Sequence, residues 1–409
     1  MTSEQNETGS AVHGPLSHLR VLDLSRVLAG PWSGQLLADL GAEVIKVERP
    51  QGGDDTRGWG PPYLEGTKEA AYYLSCNRGK KSVTIDMATA EGQQMIRDLA
   101  AQSDVVLENF KVGGLKKYGL DYEGLRAVKP DLVYCSVTGF GQNGPYALRA
   151  GYDFMIQGMG GLMSLTGEPD GMPTKTGVAF ADIFTGMYST VAVLAALAHR
   201  DRTGEGQYID MALLDVQVAV LGNQAMNYLA SGKAPQRMGN AHPNIVPYQA
   251  FATLDGHIIL AVGNDGQFNR FCTLAGRPEL AEDERFKTNS ARVAHRAELV
   301  PQVAAMVASR TTADWIAVLE DKAVPCGPIN TLDQVFADPQ VLARGMKATL
   351  PHPLGGSVDL VGSPIKFSTL PAQATTAPPT LGQHTDSVLA EVLGMDAAQC
   401  KDLRDKGII

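Results

Sequence analysis

Leu19-Arg20-Val21-Leu22-Asp23-Leu24, then Ser25-Arg26-Val27-Leu28-Ala29-Gly30-Pro31, then Glu43-Val44-Ile45-Lys46-Val47-Glu48 are the stretches that decide the fold. The first and last are short runs of buried-type and β-branched residues, which is the pattern of strands. Residues 32–40 between them read as a helix that stops at Gly41, a residue suited to a helix end. A strand, a loop, a helix and a second strand in this order imply a parallel pair joined by a right-handed crossover. Such sheets bind ligands at the carboxyl ends of their strands, so the loop from Arg26 to Pro31 and Arg49 are expected to face one region.

The alternation continues downstream. Asn77-Arg78-Gly79-Lys80-Lys81 reads as a basic turn entering a strand through Val83 and Ile85. A helix over 91–101, a strand over 104–108, a helix over 122–128 and a strand over 132–137 follow, which is an α/β pattern. After a long helix ending near Arg200 come a strand over 207–212 and a long helix over 213–229. Composition then shifts at Ser231-Gly232-Lys233-Ala234-Pro235. Strands over 247–253 and 257–262 are joined through Asp255-Gly256, a hairpin signal. Amphipathic helices include 267–274, 299–308 and 312–321. Val324-Pro325-Cys326-Gly327-Pro328 reads as a rigid turn returning the chain to the first domain, and 369–381 as a Pro/Ala/Thr connector. The expected organisation is a mobile tail (1–15), a large α/β domain (16–229), a small domain (230–329) and a C-terminal segment (330–409) rejoining the large one.

The chain has 409 residues, 44% of them hydrophobic and 19% charged, as in folded globular proteins. With 35 Lys+Arg against 44 Asp+Glu the net charge is −9, which argues against a nucleic-acid or membrane-surface partner. No uninterrupted apolar run is read as membrane-spanning. Cys76, Cys135, Cys272, Cys326 and Cys400 form no CxxC pair, so reduced thiols in a cytoplasmic protein are expected. The eight histidines make no HExxH or HxxxH pattern, so no metal is expected. There is no GxSxG elbow and no GxGxxG after a strand, so no nicotinamide cofactor is expected either.

Two features carry chemistry. In Gly177-Val178-Ala179-Phe180-Ala181-Asp182-Ile183-Phe184-Thr185-Gly186 an acid stands where the long helix begins. Asp182 can cap that helix through its free N–H groups, or it can be a carboxylate that faces a cleft in the field of the helix dipole. Arg49, Lys80, Lys81, Lys111, Lys116 and Lys117 fall near predicted strand ends. They can be ordinary solvated charges, or grouped at one edge they can bind phosphates. Phe110 and Ile85 beside them can flank an adenine ring or belong to the core. His384 reads as a helix entry, with Thr385 or Asp386 capping residues 387–393.

These segments together resemble family III CoA-transferases, the group of formyl-CoA transferase and carnitine CoA-transferase. The resemblance runs from Val21 through Pro31, through Gly41-Ala42-Glu43-Val44-Ile45-Lys46-Val47-Glu48, Glu108-Asn109-Phe110, Gly151-Tyr152-Asp153, Ala181-Asp182, Thr203-Gly204-Glu205-Gly206-Gln207 and Val324-Pro325-Cys326-Gly327-Pro328. It implies a Rossmann-like large domain with a parallel sheet, a smaller α+β domain, and an interlocked homodimer in which each subunit threads the other. It also implies that Asp182 is the nucleophile, acting through an aspartyl anhydride and an aspartyl-CoA thioester. The CoA thioester is a substrate, and no permanent cofactor is implied. The contacts to CoA carry over to Val27, Leu28, Ala29, Arg49, Ile85, Asn109, Phe110, Lys111 and Lys117. Tyr152 and Asp153 match positions beside the thioester, and Trp59 and His242 fall on the substrate side.

The departures bear on substrate. Leu28 replaces a glutamine and Ala88 a lysine of formyl-CoA transferase, and His242-Pro243-Asn244-Ile245 replaces its tetraglycine loop. Residues 239–251 look instead like the branch acting on succinyl-, glutaryl- and hydroxymethylglutaryl-CoA, so a succinyl-CoA donor and a dicarboxylate acceptor are implied. The α-methylacyl-CoA racemases share the fold but carry a histidine where Tyr152 stands, and without it a two-base proton transfer lacks a partner. Racemase is the alternative, and a non-catalytic CoA-binding protein in which Asp182 merely caps is the third reading.

Overall fold

The structure, a computed structural model, describes residues 14–409. The tail expected over 1–15 lies outside them except for Gly14 and Pro15. The chain forms two compact units. The first takes residues through Gly161, Gly177–Ala225 and Pro339–Ile409; the second takes Leu162–Thr176 and Met226–Asp338. Residues 162–176, expected in the large domain, belong with the second unit. There the Arg237 guanidinium donates to the carbonyls of Glu168 and Gly171, and the Gly239 amide donates to that of Gly167.

The first unit is built on six parallel strands, β1 (Arg20–Asp23), β2 (Glu43–Glu48), β3 (Lys80–Thr84), β4 (Val105–Glu108), β5 (Val133–Thr138) and β6 (Gln207–Ala212), in the order β3-β2-β1-β4-β5-β6. Alternate residues of β1 to β5 serve opposite cores, as in a sheet covered on both faces, while the edge strand β6 leaves Tyr208 exposed. Leu22, Ile45, Val83 and Val106 pack with Ile96 and Leu99 of the helix Ala90–Ala101 and with Val388 and Leu389. Val21, Val44, Val105 and Val133 pack on the other face with Leu37, Val193 and Leu197. Strand order reverses between β1 and β4, and at such a switch point the carboxyl ends of the strands form a crevice.

Helix Ala29–Asp39, which starts three residues earlier than the sequence suggests, packs against helix Phe180–Thr203. Proline at position 31 is tolerated there because the first turn has no N–H partner to lose. The helices approach closely at Gly186, where a Cβ would stand 2.7 Å from the Ala29 carbonyl oxygen and 2.8 Å from the Trp32 Cβ. Contrary to the sequence reading, Phe180–Thr203 is long and apolar enough to cross a membrane by length and composition. In this fold Ala181, Thr185, Ser189, Val193 and Leu197 along it are buried.

Three further expectations change. The long helix over 213–229 is two helices, Leu213–Ala219 and Gly222–Ser231. Gly222, the first residue of the second, has φ of +55°, so the first helix cannot run on through it. Residues 324–328 are no mere turn. They supply β9 (Cys326–Pro328), which pairs antiparallel with β8 (His257–Ala261), itself the partner of β7 (Tyr248–Ala252), in the second unit. Neither Thr385 nor Asp386 caps the helix Thr385–Leu393, whose N-cap is His384 without a side-chain cap bond. Thr385 Oγ1 instead accepts the Thr84 amide at 3.0 Å, and His384 Nδ1 accepts the Ser82 amide at 3.2 Å, so this segment is stitched to β3. The first unit also carries the hairpin of β10 (Lys347–Pro351) and β11 (Ser357–Val361).

Candidate active site

The crevice begins with two loops. The Asn109 side chain, just past β4, accepts the Arg26 amide at 2.8 Å and donates to the Arg26 carbonyl at 2.6 Å, tying the loop after β4 to the loop after β1. The Arg26 guanidinium lies 5.3 Å from the Phe110 ring centroid. Val27 sits at φ of +70°, a region costly for a β-branched residue. Its amide reaches both carboxylate oxygens of Asp54 at 3.3 Å. Asp54 is in turn fixed by Lys46, 2.9 Å away, with both side chains fully buried. Burial alone would raise the Asp54 carboxyl, but the Lys46 charge and the Thr56 amide hold it at about 2.

On this frame lie two adjoining cavities. One, of about 170 Å³, is lined by Val27, Leu28, Ala29, Asn109, Phe110, Tyr152 and Asp182. The other, of about 630 Å³, is lined by Arg49, Met87, Phe110, Lys111 and Lys117. Arg26, Phe110 and Lys111 border both. The first gathers the acid; the second sets apolar groups such as Leu24, Met87 and Phe110 beside the cations Arg49, Lys111 and Lys117 and the carboxylates of Glu48, Asp54 and Asp86.

Asp182 lies in the first turn of the helix Phe180–Thr203, yet the N-cap residue is Ala179 and makes no side-chain cap bond. Asp153, at the start of helix Asp153–Met159, does the capping. Its Oδ1 accepts the amides of Ala181 at 2.8 Å and Asp182 at 3.3 Å, and its Oδ2 accepts Gln157 Nε2 at 2.7 Å. With those donors taken, Asp182 is left half-buried without a hydrogen bond that lowers its pKa. Burial first, and the Asp153 charge second, push its carboxyl up to about 7. A carboxylate so placed is poorly solvated and reactive near neutrality.

The remaining sequence candidates fall elsewhere. Ile85 lies at the end of β3 with its side chain in the core, only 1% exposed, so its backbone is what it can offer a ligand. Trp59 is edge-on to Tyr72 at 5.1 Å between centroids. His242 belongs to the second unit, where its ring lies 5.2 Å from that of Tyr248. Burial and then Arg296 lower its pKa.

Lys80 and Lys81 are not on the crevice edge. They begin β3, whose carboxyl end is at Thr84. Lys80 is buried, bonding Asp23 Oδ2 at 2.9 Å and the Pro31 carbonyl at 2.8 Å. Lys81 bonds Glu43 at 2.6 Å. The sequence leaves Tyr72 unmarked and names Glu108 only within the segment Glu108-Asn109-Phe110, without a role. The Tyr72 phenol is pushed up to about 12 by burial and then by Asp182, Cys76 and Asp153, which places it in the field of the acid. Nothing in Ala70–Leu74 signals that proximity.

A doubly wound sheet with a carboxylate in its switch-point crevice, beside a pocket lined by Arg49, Lys111 and Lys117, is an α/β enzyme-like site. The sequence profile of CoA-transferase family III matches residues 16–385, and the chain belongs to that family. It is an enzyme that transfers CoA. It is 56% identical to a succinate–glutarate CoA-transferase of Agrobacterium fabrum, over 92% of this chain and 96% of that one. It is 44% identical to the human succinyl-CoA:glutarate CoA-transferase, over 97% of this chain and 90% of that one. A solved structure, a CAIB/BAIF family protein from Brucella suis, is similar with a TM-score of 0.83 and 58% identity, covering 93% of this chain and all of that one.

Proposed function

We propose that this enzyme moves CoA from succinyl-CoA to glutarate, with Asp182 as the nucleophile. The carrying observation is Asp182 itself, a half-buried carboxylate relieved of capping by Asp153 and set in a cavity that shares Arg26, Phe110 and Lys111 with a larger pocket holding Arg49 and Lys117. The relatives' names support donor and acceptor. Adenine fits the larger pocket against Phe110, phosphates fit its cations at Arg49, Lys111 and Lys117, and the pantetheine arm runs past Val27, Leu28 and Ala29 toward Asp182. Tyr152 and Asp153 stand beside the thioester; Trp59 serves the acyl side.

The chemistry balances in four steps. The Asp182 carboxylate attacks the thioester carbon, forming a C–O bond and releasing CoA thiolate from the C–S bond. The thiolate attacks the aspartyl carbonyl of the anhydride, giving aspartyl-CoA thioester and free succinate. Glutarate attacks that thioester and expels the thiolate again. The thiolate then attacks the glutaryl carbonyl, giving glutaryl-CoA and restoring Asp182. Each step replaces one hard exchange by an easier one. The weakly solvated carboxylate attacks readily.

A homodimer of the interlocked kind fits the exposed apolar side chains of the first unit, including Phe154, Val178, Met187, Val191 and Val218. Five free cysteines fit a reducing cytoplasm. The test is exchange of purified protein with succinyl-CoA and a panel of free acids, followed by mass spectrometry, with Asp182→Asn alongside. Glutaryl-CoA from the wild type alone is the expected product. α-Deuterium uptake into a 2-methylacyl-CoA without any exchange would replace this reading by racemisation.

A further inference from the structure

Glu108 ends β4 with only 5% of its surface exposed. It forms no salt bridge among the described residues, which is unusual for a buried acid. Its Oε2 accepts the Phe110 amide at 2.7 Å, turning the chain sharply as it leaves the strand. Between these two residues Asn109 makes its two bonds to Arg26, and Phe110 goes on to border both cavities. Glu108 itself borders neither. It faces a third cavity on the other side of the loop, with Tyr134, Ser136, Gln142 and Tyr208. There Ser136 Oγ accepts Gln142 Nε2 at 2.9 Å, and the Gln142 amide donates to Asp210 at 3.0 Å, so the acid sits against a braced β5–β6 edge.

We propose that Glu108 is a positioning residue for the CoA ester: its bond to the Phe110 amide sets the Asn109–Phe110 turn, and with it the wall shared by the two cavities. This rests on the CoA reading above. The physical reason is economy of donors. In the tight turn the Phe110 amide is not taken up by a strand or helix, and a buried donor left unpaired is costly. A side chain that supplies the acceptor from below leaves the upper face of the turn free for ligand. An acid rather than an apolar residue then stands at a position that the core alone would fill with valine or leucine.

The substitution Glu108→Met keeps volume and removes the acceptor; Glu108→Gln keeps an acceptor oxygen in place. Calorimetry with CoA, and steady-state kinetics with succinyl-CoA and glutarate, read the result. Glu108→Met removes the acceptor for the Phe110 amide as well as for Ser136, and is expected to weaken CoA binding and raise the KM for succinyl-CoA about tenfold through the lost Phe110 bond. The kcat and the KM for glutarate should stay within about threefold, and Glu108→Gln should restore CoA affinity to within about threefold. Should Glu108→Met fail to fold, Glu108→Asp, one methylene shorter, must show the same loss toward CoA alone. Unchanged CoA affinity in the folded variant overturns the proposal, as does equal loss for both substrates. Wild type that binds CoA yet exchanges no acid would instead overturn the transferase reading, while the calorimetry still decides the role of Glu108.

Discussion

At the scale of the residue, function turns on which acid is allowed to be uncomfortable. Asp153 and Asp182 share one helix start, and the amides go to Asp153. With its carboxyl at about 7, Asp182 must lose its proton to attack. The donor kcat/KM is therefore expected to rise with pH about tenfold per unit up to ~7 and to level above it. Asp153→Asn removes the neighbouring charge and should move that bend to lower pH; a pH–rate profile with an unmoved bend would refute the coupling. Glu108 titrates oppositely to a salt-bridged acid. Burial pushes it from 4.5 up to about 7, against its bonds from Ser136 and the Phe110 amide. The folded chain keeps a proton that the unfolded chain gives up near 4.5, so its contribution to stability is complete below that pH and is lost on rising through 7. Glu108→Gln should flatten this decline, which is on the order of 3 kcal/mol, in urea melts between pH 4.5 and 8.

At the scale of the element, the helix Phe180–Thr203 is held to helix Ala29–Asp39 at Gly186, one turn past Asp182. Gly186→Ala would press on the Ala29 carbonyl and Trp32, parting the helices just where Ala29 lines the cavity. It is expected to cost about 1–3 kcal/mol of stability and to lower kcat, as thermal melts and kinetics would show. The sheet was legible in sequence because short, β-branched apolar runs alternating with helices have few alternatives to a parallel sheet. Asp182 was legible as an acid at a helix start, but its freedom was not, because the group that frees it lies 29 residues upstream. The same limit misplaced Lys80 and Lys81. A basic turn before a strand looks alike whether the strand's first or last end meets the ligand, and here Lys80 is spent on buried Asp23. Residues 324–328 misled because proline and glycine signal a turn, while the pairing with β8 is invisible locally.

At the scale of the whole molecule, buried ion pairs between sheet and loops make the fold acid-sensitive. The Asp54 carboxyl, held at about 2 against an ordinary 3.8, contributes stability that is complete above 3.8 and lost as pH falls through 2. It is worth on the order of 2 kcal/mol, and Lys46→Met with Asp54→Asn should flatten acid melts in that window. Sedimentation should give about twice the 43.5 kDa of one chain if the homodimer forms. The most direct measurement of the central claim is the mass of the peptide bearing Asp182 after brief incubation with succinyl-CoA, in wild type and in Asp182→Asn. The account predicts a CoA thioester on Asp182 in wild type, discharged by glutarate to give glutaryl-CoA, and neither in the variant. Undiminished glutaryl-CoA formation by Asp182→Asn would contradict it.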